Sequence, residues 1–415
     1  MEIKRVLIAN RGEIALRALR TIKEMGKKAI CVYSTADRDA LYLKYADASI
    51  CIGNARSSES YLNIPNIISA AEIAEADAIF PGYGFLSENQ NFVEICAKHN
   101  VKFIGPSVEA MTLMSDKSKA KQMMQRAGVP VIPGSDGALN GVEAAKKLAK
   151  EMGYPIILKA AAGGGGRGMR VVEKESEIEK AYWSAESEAM TAFGDGTMYM
   201  EKYIQNPRHI EVQIIGDSFG NIVHIGERDC SMQRRHQKLI EESPAILLDE
   251  KTRKKLHDTA IKAAKAIGYE GAGTFEFLVD KNLDFYFIEM NTRLQVEHCV
   301  SEMVSGIDII EQMIKVAEGY ALPPQESIKL RGHSIECRIT AEDPKSFVPS
   351  PGKLAKYVPP AGCNVRMESH CYQGYSVPPY YDSMIGKLVV WGEDRNRAIA
   401  KMKVALNELI VGGIK

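Results

Sequence analysis

Short apolar runs alternate with amphipathic stretches along the first part of the chain. "RVLIAN" is continuous and apolar, as a strand buried on both faces is, and "EIALRALRTIKEMG" after it repeats Ile14, Ala18 and Ile22 at helical spacing before Gly26 stops it. "AICVYS", "ADAIFPG" and "VKFIGP" repeat the strand pattern between helical segments, which predicts the βαβ rhythm of a parallel sheet. "SDKSKAKQMMQRAG" reads as a helix, and "VPVIPGSDG" as a boundary rich in Pro and Gly. From Tyr154 to about Val279 strands are expected to dominate, with one helix at "TRKKLHDTAIKAAKAIG". Beyond "GYALPPQES", the segments "GHSIECRIT", "GKLAKYVPP" and "SMIGKLVVWG" alternate like strands of an antiparallel region.

A length of 415 residues predicts two or three domains, each large enough for its own core. Lys+Arg and Asp+Glu balance at 53 each, which argues against a broad electrostatic footprint for nucleic acid. The opening "MEIKRVLIANRGE" reads as a strand and not as a signal peptide, and no apolar run is long enough to cross a bilayer. Eight cysteines lie far apart and form no C-x-x-C. They are expected to be reduced thiols of a cytoplasmic protein, neither a disulfide frame nor a zinc site.

Against this ordinary background stands "KAAAGGGGRGMRVV", Lys159 to Val172. Gly163, Gly165 and Gly168 satisfy G-x-G-x-x-G, but that fingerprint requires a strand before it and a helix after it. Here "YPIILKA" precedes as a strand and "MRVVEKES" follows as another, and no Gly-Lys-Ser/Thr closes a P-loop. The reading left is a glycine flap between two strands, whose amide groups could cover phosphates, or else a plain flexible hairpin.

"TFEFLVDKNLDFYFIEMNTR" predicts two strands around a turn. With Asn282 and Leu283 as a two-residue loop, Glu276 and Glu289 face each other and Asn291 shares their face. Phe275, Phe277, Tyr286, Ile288 and Met290 then form the apolar face. Opposed like charges need a cation between them. Two carboxylates and an amide oxygen suit Mg²⁺ or Mn²⁺, while lysines pairing a solvated face are the alternative. Arg293, Gln295, Glu297 and His298 follow closely, and "ERDCSMQRRHQK" gathers Arg234, Arg235, His236 and Lys238. Beside a glycine flap and a metal, this second cluster reads as anion binding and otherwise as a basic surface patch.

"YPIILKAAAGGGGRG" and "FIEMNTRL" resemble the two signatures of the ATP-grasp fold. "ANRGEIALR", "FPGYGFLSEN", "YMEKYIQNPRHIEVQ", "ERDCSMQRRHQK", "NTRLQVEH", "GHSIECRI" and "PPYYDSMIGKL" are together similar to biotin carboxylase, essentially from end to end. The resemblance implies an α/β and α+β architecture. Residues 1–115 would form a Rossmann-like N-terminal domain, 116–330 an ATP-grasp domain with a glycine-rich lid at about 131–203, and 331–415 a mixed antiparallel C-terminal domain. The chain ends at "VGGIK" where relatives continue, so this last domain is expected to be truncated.

Residue by residue, the resemblance implies that Lys117 and Lys159 hold ATP phosphates under a flap at Gly165 and Gly166. Glu201, Lys202, Tyr203 and Ile204 would bind adenine, helped by His209, Gln233 and His236. Glu276, Glu289 and Asn291 would hold Mg²⁺ or Mn²⁺, two ions in all. Lys238, Arg293, Gln295 and Val296 would fix bicarbonate, Glu297 would deprotonate it, and Arg338 would stabilise the enolate of biotin, with Tyr83 in the substrate site. Ile335, Cys337 and Ile339 alternate against Glu336 and Arg338, which fits that role, although an exposed Glu336–Arg338 salt pair would give the same pattern.

The implied reaction is ATP-dependent carboxylation of carrier-bound biotin at N1 through carboxyphosphate, the first half-reaction of acetyl-CoA carboxylase in fatty acid synthesis. A subunit of a two-subunit pyruvate carboxylase and another ATP-grasp ligase are the alternatives. "AKMKVAL" at Ala400 has the wrong order for a biotin-attachment hairpin and a helical pattern, so the biotin would come on a separate carrier protein. Carboxyltransferase subunits and a homodimer are implied, with neither nucleic acid nor membrane as partner. Cys299 stands where the family commonly has Pro. Cys363 replaces a frequent aromatic near Arg366, in a region the family uses with Arg20 and Glu24 for dimerisation.

Overall fold

The computed structural model describes residues 2–160, 168–235 and 237–415. Its contacts gather the chain into two units: Met1–Asp116, His209–Glu276 and Glu289–Lys415 form one, Lys117–Arg208 and Phe277–Ile288 the other.

The first unit begins as the apolar runs predict. Strands β1 (Arg5–Ile8), β2 (Lys28–Tyr33), β3 (Ala48–Cys51), β4 (Ala78–Phe80) and β5 (Lys102–Phe103) make a parallel sheet in the order β3-β2-β1-β4-β5. Val6, Leu7 and Ile8 are all buried because helices cover both faces. Ile14, Ala18 and Ile22 of the helix Gly12–Glu24 join the core around Val6 and Ile8, while Ile67, Ile68 and Phe92 pack with Leu7 and Ile30. Each such aliphatic side chain contributes roughly 1.5–3 kcal/mol on burial.

In the second unit β6 (Ile156–Ala160), β7 (Met169–Val172) and β8 (Met198–Lys202) form an antiparallel sheet in the order β7-β6-β8. The glycine run thus lies between two paired strands. Gly165 and Gly166 fall outside the described residues, as does His236. Gly168, at the foot of β7, has φ of 69° and accepts a 2.8 Å bond from the Ala160 amide. The helix Ile178–Phe193 corrects the expectation that strands dominate here. Its buried face is Ile178, Tyr182, Ala185 and Ala189, and alanine carries too little hydropathy for that helical period to stand out.

A third sheet comprises β9 (Arg208–Gly216), β10 (Ile222–Arg234), β11 (Gln237–Ser243), β12 (Gly271–Val279), β13 (Phe285–Asn291), β14 (His333–Thr340) and the strands Val365–Glu368 and Met384–Gly392. Its order is β13-β12-β9-β10-β11-β14, then Met384–Gly392, then Val365–Glu368. At the β14 end one face is apolar: Ile335, Cys337, Leu388 and Val390 pack on Ala398, Met402 and Ala405 of the helix Arg395–Glu408. The other face carries Glu241, Glu336, Arg338, Lys387 and Glu368, and the helix His298–Ser305 packs against it. Glu336 is fully buried and Arg338 nearly so, which rules out the exposed Glu336–Arg338 pair as the reason for their alternation.

The β12–β13 turn also differs from expectation. Leu283 adopts φ of 66°, its amide bonds the Asp280 carbonyl at 3.1 Å, and the Asp280 amide bonds the Asp284 carbonyl at 2.9 Å. The loop therefore holds three residues, a type I turn closed by a left-handed residue, and the two-residue register that sets Glu276 across from Glu289 does not form at the tip. Phe285 and Phe287, not Tyr286 and Ile288, join Phe277 in the core, at ring distances of 5.6 and 6.2 Å. Burial along β13 then skips from Phe287 to Met290. That break in alternation is what a β-bulge produces, and it returns Asn291 to the Glu276 side.

Candidate active site

In the second unit β6 and β8 run side by side with Lys159 opposite Tyr199. Glu201, on β8, accepts from Lys159 at 2.5 Å and from Lys121 at 2.8 Å. Burial pushes its carboxyl up, but the two ammonium groups outweigh it and hold it below the ordinary range. Lys202 donates instead to the carbonyls of Gly153 and Tyr154, at 2.9 and 3.1 Å, and the Tyr203 amide to Pro155 at 3.2 Å. Lys117 begins its helix, and Ile204 is the second residue after β8. The structure thus places Lys159, Glu201 and a lysine that sequence reasoning passed over, Lys121, in one cluster.

The first unit holds a denser one. Lys238, on β11, donates to Glu211 at 2.9 Å, Glu276 at 3.0 Å and Glu297 at 2.7 Å. Glu276 also accepts from Asn291 and Gln295, both at 2.9 Å, and lies 2.9 Å from His209. Burial alone would raise the Glu276 carboxyl, yet the His209 bond and the Lys238 charge hold it well below the usual range. His209, expected near adenine, stands here beside Glu276, and its own proton affinity is raised: burial works against this, the Glu276 bond prevails. Glu289, half-buried, lies two residues before Asn291 on the same strand.

Glu297 is the focus of the cations. Its Oε2 accepts from Arg338 at 3.0 Å, and Arg338 is itself held by Glu241 at 2.7 Å. Burial opposes ionisation of Glu297, but Lys238, Arg338 and Arg228 together keep it far below the ordinary carboxylate range. Glu241 shows the reverse balance: burial, helped by Glu297, lifts it to about 7 despite Arg338. Gln295 is oriented from beneath by Arg228, which reaches its Oε1 at 2.8 Å. Arg293 bonds Asn291 at 2.9 Å and Glu88 at 2.9 Å. Gln233 turns to the Cys230 carbonyl at 2.8 Å, and Tyr83 donates through its hydroxyl to Glu13. His298 is buried against the Gln295 carbonyl at 2.7 Å.

"ERDCSMQRRHQK" does not act as one basic patch. Among its described residues, Arg234 pairs with Glu342 at 2.9 Å, Arg235 turns the hairpin at φ of 50°, and Lys238 and Arg228 join the buried carboxylates, Arg228 reaching Glu211 at 3.2 Å. Sequence reasoning missed Arg228, Glu211, Glu241 and Lys387. The signal for Lys387 was present, a lone cation inside the apolar strand "SMIGKLVVWG". The residues present fit a hard divalent cation: Glu276, Glu289 and Asn291 supply oxygen donors, and Glu276 is kept ionised.

An ionised carboxylate among fixed cations, and a separate lysine–glutamate cluster beside a glycine run between strands, define an ATP-grasp ligase. Family models match most of the chain: "Biotin carboxylase, N-terminal domain" over residues 2–111, "Carbamoyl-phosphate synthase L chain, ATP binding domain" over 116–325 and "Biotin carboxylase C-terminal domain" over 336–415. The biotin carboxylase of Pseudomonas aeruginosa is 56% identical over 100% of this chain and 92% of its own. A biotin carboxylase complex with β,γ-ATP from Campylobacter jejuni is 90% identical, with a TM-score of 0.92 over 100% of this chain and 93% of that one. The biotin carboxylase domain of Hydrogenobacter thermophilus 2-oxoglutarate carboxylase, solved with MgADP, ADP and bicarbonate, is 48% identical, with a TM-score of 0.90 over 100% and 92%. The chain belongs to the biotin carboxylase family. Among the described residues no helix is long and apolar enough to cross a membrane.

Proposed function

We propose that the chain carboxylates the biotin of a separate carrier protein, using ATP and bicarbonate, as the first half-reaction of acetyl-CoA carboxylase. The observation that carries this reading is Glu297, buried and ionised, between Lys238 at 2.7 Å and Arg338 at 3.0 Å. Such a carboxylate can take the proton of a bicarbonate held by Lys238, Arg293, Gln295 and the Val296 amide. The bicarbonate oxygen then attacks the γ-phosphate of ATP bound at Lys117, Lys159 and Glu201 to Ile204, giving carboxyphosphate and ADP. Phosphoryl transfer relies on positioning and charge neutralisation, which this inventory of cations supplies. Glu276, Glu289 and Asn291 would hold the divalent ion, which when bound neutralises phosphate charge. Carboxyphosphate yields CO₂ and phosphate, phosphate takes the N1 proton of biotin, Arg338 stabilises the resulting negative charge, and N1 then attacks CO₂ to form the carboxylated product. Carrier protein, carboxyltransferase subunits and a second copy of the chain are the partners of this reading. Pyruvate carboxylase is the second reading, favoured by the likeness to a module of a 2-oxo acid carboxylase.

The test is ADP release with MgATP and bicarbonate, with and without free biotin, for the native chain and Glu297→Gln. Release that biotin stimulates, and that the variant loses, supports the carboxylase and its base. Release indifferent to both biotin and bicarbonate would leave an ATPase with another acceptor.

A further inference from the structure

Lys387 lies in the middle of the strand Met384–Gly392 with its side chain fully buried. An ammonium group in that position is costly unless every proton finds an acceptor, so its partners say what it is for. Register sets it directly opposite Arg338 on one side and Glu368 on the other. Like charges opposed across a ladder are destabilising. Here the two cations divide their work. Arg338 grips the side chain of Glu297, while the Lys387 ammonium donates to the main-chain carbonyl of Val296 at 2.7 Å. That carbonyl belongs to the peptide joining Val296 to Glu297. Neighbouring strands therefore hold the proposed base twice, by its carboxylate and by the backbone from which it hangs.

The other side of the ammonium meets Glu13 at 3.2 Å, in the first turn of the helix Gly12–Glu24. Glu13 in turn accepts from the Tyr83 hydroxyl, and Lys387 stands 5.9 Å from the Tyr83 ring. Glu336 is buried nearby with neither oxygen hydrogen-bonded, and burial pushes its carboxyl well above the ordinary range in spite of Lys387, so the partners of the ammonium are the Val296 carbonyl and Glu13. One buried lysine thus ties together the Gln295–Glu297 turn and Tyr83, which approach from different parts of the sequence.

We propose that Lys387 is a positioning residue for carboxyphosphate formation: through the Val296 carbonyl it fixes the turn that presents Gln295, Val296 and Glu297 to bicarbonate, and through Glu13 it sets Tyr83. This rests on the reading of the site as a bicarbonate-activating one. ADP release is measured for the native chain, Lys387→Met and the double variant Lys387→Met/Glu13→Gln, with KM for ATP and bicarbonate taken separately and thermal melting followed alongside. The double variant removes both charges of the pair, so it regains melting temperature lost by the single one. The Val296 carbonyl stays unheld in both. The expected result is a bicarbonate KM raised and kcat lowered, together by on the order of 10²-fold in kcat/KM, with the ATP KM unchanged. Should the single variant not fold, the double variant carries the test. Bicarbonate kinetics that recover with stability in the double variant, or a native bicarbonate KM in a folded Lys387→Met, would reduce Lys387 to a structural ion and overturn the inference. Absence of bicarbonate-dependent ADP release in the native chain would overturn instead the reading on which it rests.

Discussion

Replacing Lys238 by Gln should move the acidic limb of the pH–rate profile upward. The base must be a carboxylate to accept a proton, so activity falls as pH drops through its pKa, and anything that raises that pKa shifts the limb to higher pH. Lys238 lies 2.7 Å from Glu297. At an effective dielectric of about 20 a full charge at that distance is worth about 6 kcal/mol. Arg338 and Arg228 remain after the substitution, and water enters, so most of this will be screened. A quarter of it, about 1.5 kcal/mol, still corresponds to roughly one pH unit. Burial adds to the effect, because it already pushes Glu297 up and is opposed first by Lys238. The measurement is the initial rate of ADP release at saturating MgATP and bicarbonate across pH, with melting followed in parallel. The melting control matters because Glu211, Glu276 and Glu297 would lose the cation that they share, and breaking a buried pair costs roughly 3–5 kcal/mol. A limb that stays at the native pH while only the plateau falls would refute the electrostatic account of Glu297.

Glu227→Gln tests buried pairing away from the site. Burial raises Glu227, but His257 at 2.7 Å and Arg253 at 2.9 Å bring its pKa from 4.5 to about 2. That depression is worth about 3 kcal/mol, fully present above pH 4.5 and lost as pH falls towards 2, so the native chain should lead the variant in denaturant stability near neutrality and converge with it in acid. A gap independent of pH would refute it. Gly168→Ala forces a side chain into φ of 69° with its Cβ 2.7 Å from that of Ala160. ATP affinity should fall several-fold in a binding titration while the bicarbonate KM holds, and an unchanged ATP affinity would disconnect this hairpin from the nucleotide.

What could be read from the sequence follows from how far apart the interacting residues lie. The strand–glycine–strand pattern is local, and β6 and β7 confirm it. Glu276 and Asn291 are fifteen residues apart in one hairpin and do meet at 2.9 Å, but through the break in alternation along β13 and not through the two-residue register that the period of two assumed. The turn itself was misread because Asn282–Leu283 fits a two-residue loop on paper, whereas Leu283 adopts the left-handed conformation that closes a three-residue one. What Arg228 and Lys387 hold was out of reach for a different reason. Their partners, Gln295 for one and Val296 for the other, lie 67 and 91 residues away in the turn after β13, and only the folded chain brings them together.

That sheet explains how so many charges can be buried in one place. A strand gives every second residue to each face, so β14 and its neighbour can spend one face on Ile335, Cys337, Leu388 and Val390 and the other on Glu336, Arg338 and Lys387. The apolar face and its helix supply the burial that keeps the ladder rigid. The ladder in turn fixes the spacing of the charges, so they cannot relax towards water when one of them changes protonation. Preorganised groups of this kind need no reorientation as charge develops, which is why they stabilise a transition state more than water does. It follows that an apolar substitution behind the sheet, such as Leu388→Ala, should loosen Arg338 and Lys387 together, although the Leu388 side chain touches neither on its own face.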